Sequence, residues 1–248
     1  MKAFLKYLSI QFRLDIREKG TLLNYYLVPL MFYLVMSAVF SSINPLMKPT
    51  LAASMTVFAI TMGAVMGSPT TIIKMRESGT FRAFKVNGIS GLTVMLVQAV
   101  STFLHLLLVA LIIYIVSPLA YHSDFPKFPA YYFLILFLFL LASIGIGLLI
   151  GVASRSQSFA TMCSMVVFMP TIILSGTMFP ANMLPAPAMW LGRVFPATHA
   201  LQSFFGLAYQ MNTDINATLS LAVVAGFALL MFVLAAWQFG NIRKSEQS

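Results

Sequence analysis

Long uncharged apolar runs alternate along the chain with short clusters of charge. No Lys, Arg, Asp or Glu lies between Lys48 and Lys74, and none between Val86 and Asp124. A helix needs about 20 apolar residues to cross hydrocarbon. Six runs qualify, at about residues 22–43, 51–71, 92–117, 130–153, 158–178 and 217–240. Pro29, Pro69 and Pro170 fall inside them and predict kinks or helix ends, because proline lacks the backbone donor a helix interior needs.

Two stretches break this rhythm. At about 100° per residue, Lys2, Lys6, Ser9, Arg13 and Arg17 form one stripe of residues 1–20, and Phe4, Leu5, Leu8, Phe12 and Ile16 form the adjacent face. This pattern predicts a helix lying in the interface, with its apolar side in lipid and its basic stripe among the headgroups. A signal peptide has a shorter charged region and a shorter core. Residues 179–216 carry only Arg193 and Asp214 as charges and are broken by Pro180, Pro185, Pro187 and Pro196. They are nevertheless too apolar for a solvated loop, with Trp190, Leu191, Val194, Phe195, Leu201, Phe204, Phe205 and Leu207. Short helices dipping into the outer leaflet, or packed over the bundle, satisfy that composition. The predicted fold is an all-α integral membrane protein with six transmembrane helices, an N-terminal amphipathic interfacial helix and a broken external re-entrant segment before the last span.

Between the second and third runs stands a charged island, residues 74–91, with Lys74, Arg76, Glu77, Arg82 and Lys85. Phe81 and Phe84 are three apart and share a side of one helical turn, with Arg82 and Lys85 beside them. Charge alone fits either a basic loop that sets topology or a short amphipathic helix that docks a cytoplasmic partner.

Composition narrows the classes. At 248 residues, 60% hydrophobic and 8% charged, the chain is far from the roughly 25% charge of a soluble domain. Its net charge of +9 is spread over clusters between spans, which the membrane explains better than nucleic acid does. Twelve basic residues fall on the side of the termini and the island, and three (Lys48, Lys127, Arg193) on the other. That bias predicts cytoplasmic termini and a cytoplasmic island in a multi-pass protein. The lone cysteine, Cys163, excludes an internal disulfide and reads as a small buried hydrophobe.

Candidate chemistry is sparse. No Gly-Lys dipeptide occurs, so the chain has no phosphate loop of its own. No carboxylate lies in any of the six runs, and the only ionisable group deep in one is His105. A proton-driven carrier is thereby disfavoured, while a sodium site of carbonyls and hydroxyls stays open. Gln98, Ser101, Thr102 and His105 share one face of the third run; they line a pathway or bond to neighbouring helices. Gly63 and Gly67, and Gly147 and Gly151 with Gly145, permit close helix approach within one subunit or at a dimer seam. The 17 methionines read as adaptable apolar filling. His122 and His199 have no partner at metal-ligand spacing, and no metal is assigned. Ser175 has no His and carboxylate placed to activate it, so no catalytic residue is assigned and an intramembrane hydrolase is disfavoured. Asn216-Ala217-Thr218 matches a glycosylation sequon, a short and unspecific pattern.

The whole pattern resembles the permease subunits of type-two ABC exporters. Arg76-Glu77-Ser78-Gly79-Thr80 is similar to the family's Arg-Glu-x-Gly-Thr at the start of a coupling helix. Ser175-Gly176-Thr177-Met178-Phe179-Pro180, followed by Leu184-Pro185, resembles its Ser-Gly-x-x-Phe-Pro and Leu-Pro signature after span five. The run Pro196 to Ser203 departs from the family in lacking a basic residue, which leaves the substrate subgroup open. The resemblance implies a single ABC-2 transmembrane domain over residues 1–248, with Glu77, Gly79, Thr80, Phe81, Arg82, Phe84 and Lys85 as the ATPase-contacting coupling helix. It implies separate cytoplasmic ABC ATPase subunits that hold ATP and Mg, with no cofactor on this chain, and a second permease copy, identical or related. The implied function is export of an amphiphilic drug, lipid or related substrate across a cell membrane, in a bacterium, with membrane lipid as the surrounding partner. Gln98, Thr102 and His105 are the candidate pathway residues. Polysaccharide export, a secondary carrier and a non-transporting membrane scaffold are the alternatives.

Overall fold

The computed structural model describes residues 2–43, 48–179 and 183–245. The described residues are helical, with no strand. Helix α1 (Lys2–Arg17) leads into the first span, built from α2 (Lys19–Leu22), a π-helical turn (Leu23–Leu27) and α3 (Val28–Ile43). The second span is α4 (Leu51–Met62), a π-helical turn (Gly63–Gly67) and α5 (Ser68–Glu77). Short α6 (Thr80–Val86) precedes the long third and fourth spans, α7 (Gly91–Tyr121) and α8 (Pro129–Ala153). The fifth span is α9 (Gln157–Leu174). Two short helices, α10 (Ala186–Gly192) and α11 (Pro196–Ser203), come before the last, α12 (Ala217–Ser245). Six of these helices are long and apolar enough to cross a membrane.

The span limits shift in instructive ways. The second helix runs on to Glu77 rather than stopping near Thr71, so Lys74, Arg76 and Glu77 extend a span and do not belong to the short helix. The fifth ends at Leu174, leaving Ser175 to Phe179 as a turn. Pro29 and Pro69 each follow a π-helical turn. The wider turn relieves the bonding and steric demands that proline places on the preceding turn. Pro170 is carried inside α9 and Pro118 inside α7.

The π turns of spans one and two meet. Tyr25, from the first, is fully buried and occupies the space that a side chain at Gly67 would need. At Gly147 a Cβ would collide with the Ala64 carbonyl, and at Gly145 with Met231. The glycine spacings read from the sequence thus serve packing inside one subunit: spans two and four approach backbone to backbone, with span six on the other side of four.

The segment before the last span folds back onto the bundle. Every residue of α11 is buried, with the helix packed against α12, α8 and α4. His199 pins it there. Its Nε2 donates to the Arg193 carbonyl at 2.9 Å, which leaves Nδ1 to accept from the Ser220 hydroxyl at 3.3 Å. The missing basic residue in this run fits its position, since a charge on a helix buried on all sides would have to be desolvated. α10 keeps Trp190 and Leu191 exposed, with the Arg193 guanidinium 4.0 Å over the Trp190 ring. His122 has a left-handed φ of 53° at the end of α7.

Candidate functional site

Two glycines with positive φ cut α6 out of the chain. Gly79 (φ 73°) ends α5, and Gly88 (φ 75°) ends α6. Past Gly88, the Ile89 amide donates back to the Phe84 carbonyl at 2.9 Å, the six-to-one bond of a Schellman ending. The Ser90 hydroxyl then caps α7 by accepting from the Thr93 amide at 3.2 Å. A helix of seven residues is therefore held between two stops, as Asn87-Gly88 predicts from sequence.

Its seat is the foot of span two. The Arg76 guanidinium donates from two nitrogens to the Ser154 carbonyl (2.6 Å) and the Val152 carbonyl (3.2 Å), at the carboxyl end of span four. Those carbonyls lack helical partners and carry the negative end of the helix dipole, so a cation is well placed there. Lys74 pairs with Glu18, whose other oxygen accepts from the Thr21 hydroxyl at 2.9 Å. Tyr7 of α1 packs on Phe84 of α6, ring centroids 5.0 Å apart. Burial, aided by the Asp15 charge, pushes the Tyr7 hydroxyl up to about 12.

Between α1, the foot of α5 and α6 lies an open groove of about 630 Å³. Ile10, Leu14, Met75, Phe84 and Ile89 give it apolar walls, and Lys6, Asp15, Glu18 and Lys74 bring charge of both signs. Ile10 and Leu14 are exposed in it, 48% and 54%.

The candidate coupling residues therefore divide. Phe81 is half-buried and packs against the chain's own main core. Phe84 is half-buried and lines the groove. Glu77 is exposed at the end of α5, outside the short helix. The Thr80 hydroxyl shares a hydrogen with Ser78 at 2.7 Å across the break. Arg82 and Lys85 lie on α6.

The candidate pathway residues come together, with a partner the sequence did not disclose. Gln98, Ser101, Thr102 and His105 are all buried at 1% exposure or less, and they face α1 and span one. Asp15 of α1 is 2% exposed. Its carboxylate accepts from the Gln11 amide (2.8 Å) and the Ser101 hydroxyl (2.6 Å), and it lies 3.6 Å from His105 Nε2. His105 Nδ1 shares a hydrogen with the Tyr26 hydroxyl at 2.6 Å, and Phe12 stacks on the imidazole at 4.2 Å. Thr102 meets the Tyr25 hydroxyl at 3.1 Å and the Gln98 amide at 3.3 Å. The absence of carboxylates from the six apolar runs holds for sequence position and fails for space, because α1 delivers one against span three.

The packing of α1 differs accordingly from the expected split of faces. Phe4, Leu8 and Phe12 are half-buried beside Gln11 and Asp15, while Leu5, Ile10, Leu14 and Ile16 are exposed. Residues 4, 7, 8, 11, 12 and 15 share one helical face. The signal in the sequence was that two polar residues sit on this face, away from the basic stripe. No group of three or more His, Cys, Asp or Glu able to hold a metal occurs among the described residues.

Comparison with known proteins agrees with this architecture. A profile of the ABC-2 type transporter family matches residues 3–209. The chain belongs to that family. This ABC-2 chain is also 24% identical over 185 residues to the probable multidrug ABC transporter permease YbhS of Escherichia coli K12, covering 74% of the chain and 48% of YbhS. It is 42% identical over 55 residues to ABC transporter G family member 20 of Dictyostelium discoideum, covering 22% of the chain and 8% of that protein. The ABC-2 chain thus spans about half the length of the bacterial relative and a small part of the other.

Proposed function

We propose that residues 1–248 form one transmembrane unit that serves as the permease of an ATP-binding cassette exporter. ATP is hydrolysed on separate cytoplasmic ATPase subunits, which hold the nucleotide and its Mg. The substrate is an amphiphilic drug, lipid or related molecule leaving across the cell membrane of a bacterium. The observation that carries this reading is α6, a short helix isolated by two positive-φ glycines and seated beside a largely apolar groove. A loop that only sets topology needs neither the glycine stops nor the clamp from Arg76. The distribution of basic residues, twelve against three, supports cytoplasmic termini and a cytoplasmic α6.

In this mechanism the ATPase fills the groove between α1 and α6. Closure of an ATPase pair moves α6 with the foot of span two, and α1 with it through Glu18–Lys74 and Tyr7–Phe84. Because α1 also covers the polar face of span three, its movement uncovers Gln98, Thr102 and His105 to the route between two permease copies. Transport then requires that the two states bind substrate with different affinity. The name of YbhS supports a drug-like substrate over polysaccharide.

A second reading has one observation in its favour. The buried Asp15–His105 contact gives a membrane-embedded acid and base, as a proton-coupled carrier needs. Proteoliposomes separate the two. With the ATPase subunit present, efflux that needs ATP and persists when the proton gradient is collapsed supports the exporter. Efflux driven by a pH gradient without ATP overturns it in favour of the carrier.

A further inference from the structure

A carboxylate almost wholly removed from water is costly unless it is paired. Asp15 is held by two neutral donors, Gln11 and Ser101, and the one group able to become cationic in contact with it is His105. Its Nε2 is buried with no hydrogen-bond partner. We propose that Asp15 and His105 form a proton-binding site: one proton, shared by the pair, is bound when α1 docks on span three and is lost when α1 lifts.

The charge balance is simple. With one proton the pair is neutral overall, either as carboxylate and imidazolium or as carboxylic acid and imidazole. Without it, a bare carboxylate is buried under α1. Once α1 lifts, the carboxylate is hydrated and has no need of the proton. Above the pH at which a free imidazole gives up its proton, about 6.5, the docked state therefore holds one more proton and docking weakens as pH rises; below it the lifted His105 keeps the proton as well and docking levels off.

Lys6, Glu18 and Lys74 line the groove beside Asp15, but Lys74 and Glu18 pair with each other and none of the three forms an ion pair with Asp15 or His105. Tyr25 and Tyr26 face the cluster from span one, and Tyr7 lies nearby on α1. Tyr7, held up to about 12, stays protonated through neutral and mildly alkaline solution. The other spans packed on span three carry no Asp, Glu, Lys, Arg or His over residues 51–73, 129–153 and 217–238, where their only titratable groups are Tyr131 and Tyr132. Arg82 and Lys85 belong to α6, before the start of span three. Phe12 stacked on the imidazole closes it under α1.

The test is hydrogen exchange of residues 2–17 in full-length protein in neutral-lipid nanodiscs, followed over a mildly acid to mildly alkaline series and corrected for the intrinsic base dependence of exchange. Wild-type protection should fall with rising pH, at most about tenfold per unit for one proton. Asp15→Asn keeps the shape and removes the charge, so its corrected protection should no longer fall as pH rises. His105→Gln cannot supply the proton, so α1 should be loosened at every pH. The proposal is overturned if wild type and Asp15→Asn give the same pH profile, or if His105→Gln stays docked as firmly as wild type. The first comparison decides even where the glutamine variant fails to insert.

Discussion

Replacing Arg76 by Ala should unfasten the foot of span two from the end of span four while leaving both spans in the membrane. Two hydrogen bonds are lost, at 2.6 and 3.2 Å, each from a charged donor to a carbonyl with no helical partner. Hydrogen bonds to charged groups contribute about 1.5–3 kcal/mol each. The site is half-buried, so water replaces part of the lost interaction, and the longer bond contributes less. A net cost of about 2–3 kcal/mol follows, or about 30- to 150-fold in the local opening equilibrium. Hydrogen exchange of the amides around residues 72–78 and 150–156 should rise together by that factor, with exchange in the middle of spans three and four unchanged. Arg76→Lys should recover less than half of the protection, because a point charge cannot span both carbonyls as the planar fork does. ATP-driven transport should fall in parallel with the exchange, while binding of the ATPase is preserved. If Arg76→Ala leaves exchange at both feet unchanged, the clamp contributes nothing, and the first residue of Arg-Glu-x-Gly-Thr does not fasten span two to span four.

Three further outcomes are expected. Gly147→Ala must push span two from span four, because its Cβ meets the Ala64 carbonyl, whereas Gly226→Ala meets open space. The first should lose about 1–3 kcal/mol in detergent unfolding and the second should lose nothing or gain slightly; equal effects would refute the backbone contact. Phe81→Ala should lower stability with little effect on ATPase affinity, while Phe84→Ala should weaken affinity by about thirtyfold if it is a docking anchor. The reverse pattern in paired binding and unfolding measurements would exchange their roles. His199→Ala strands Ser220 and the Arg193 carbonyl in a buried site at a cost of about 1–3 kcal/mol, and should expose α11 to thiol labelling from the external side; unchanged labelling would show that the histidine does not hold α11.

The spans were legible because one physical demand, the length of hydrocarbon to be crossed, acts on each run independently. The end of α6 was legible for a local reason, since Gly88 supplies backbone angles that other residues resist; its expected start, Glu77, instead ends span two. The Gln98–His105 stripe was legible as a face, from periodicity alone. What covers that face was not. Asp15 reads in sequence as one acid in a basic helix, and only the docking of α1 across span three makes it a buried partner. His199 lies in a stretch whose composition predicts short helices, but its own burial depends on α12 arriving from later in the chain. The π turns escaped because nothing in Leu23–Leu27 or Gly63–Gly67 marks them before Tyr25 and Gly67 are brought together.

The most direct test of the central claim is photo-crosslinking from the groove. A benzophenone amino acid at position 84, in cells that express the full chain with its ATPase, should capture a subunit identified by mass spectrometry as a Walker-motif ATPase. The yield should change when a non-hydrolysable ATP analogue is added to isolated membranes, and the same probe at position 190, on the external α10, should capture none. Capture of the ATPase from position 190 and not from position 84, or an ATPase that binds and drives transport with no crosslink at 84, would contradict the account.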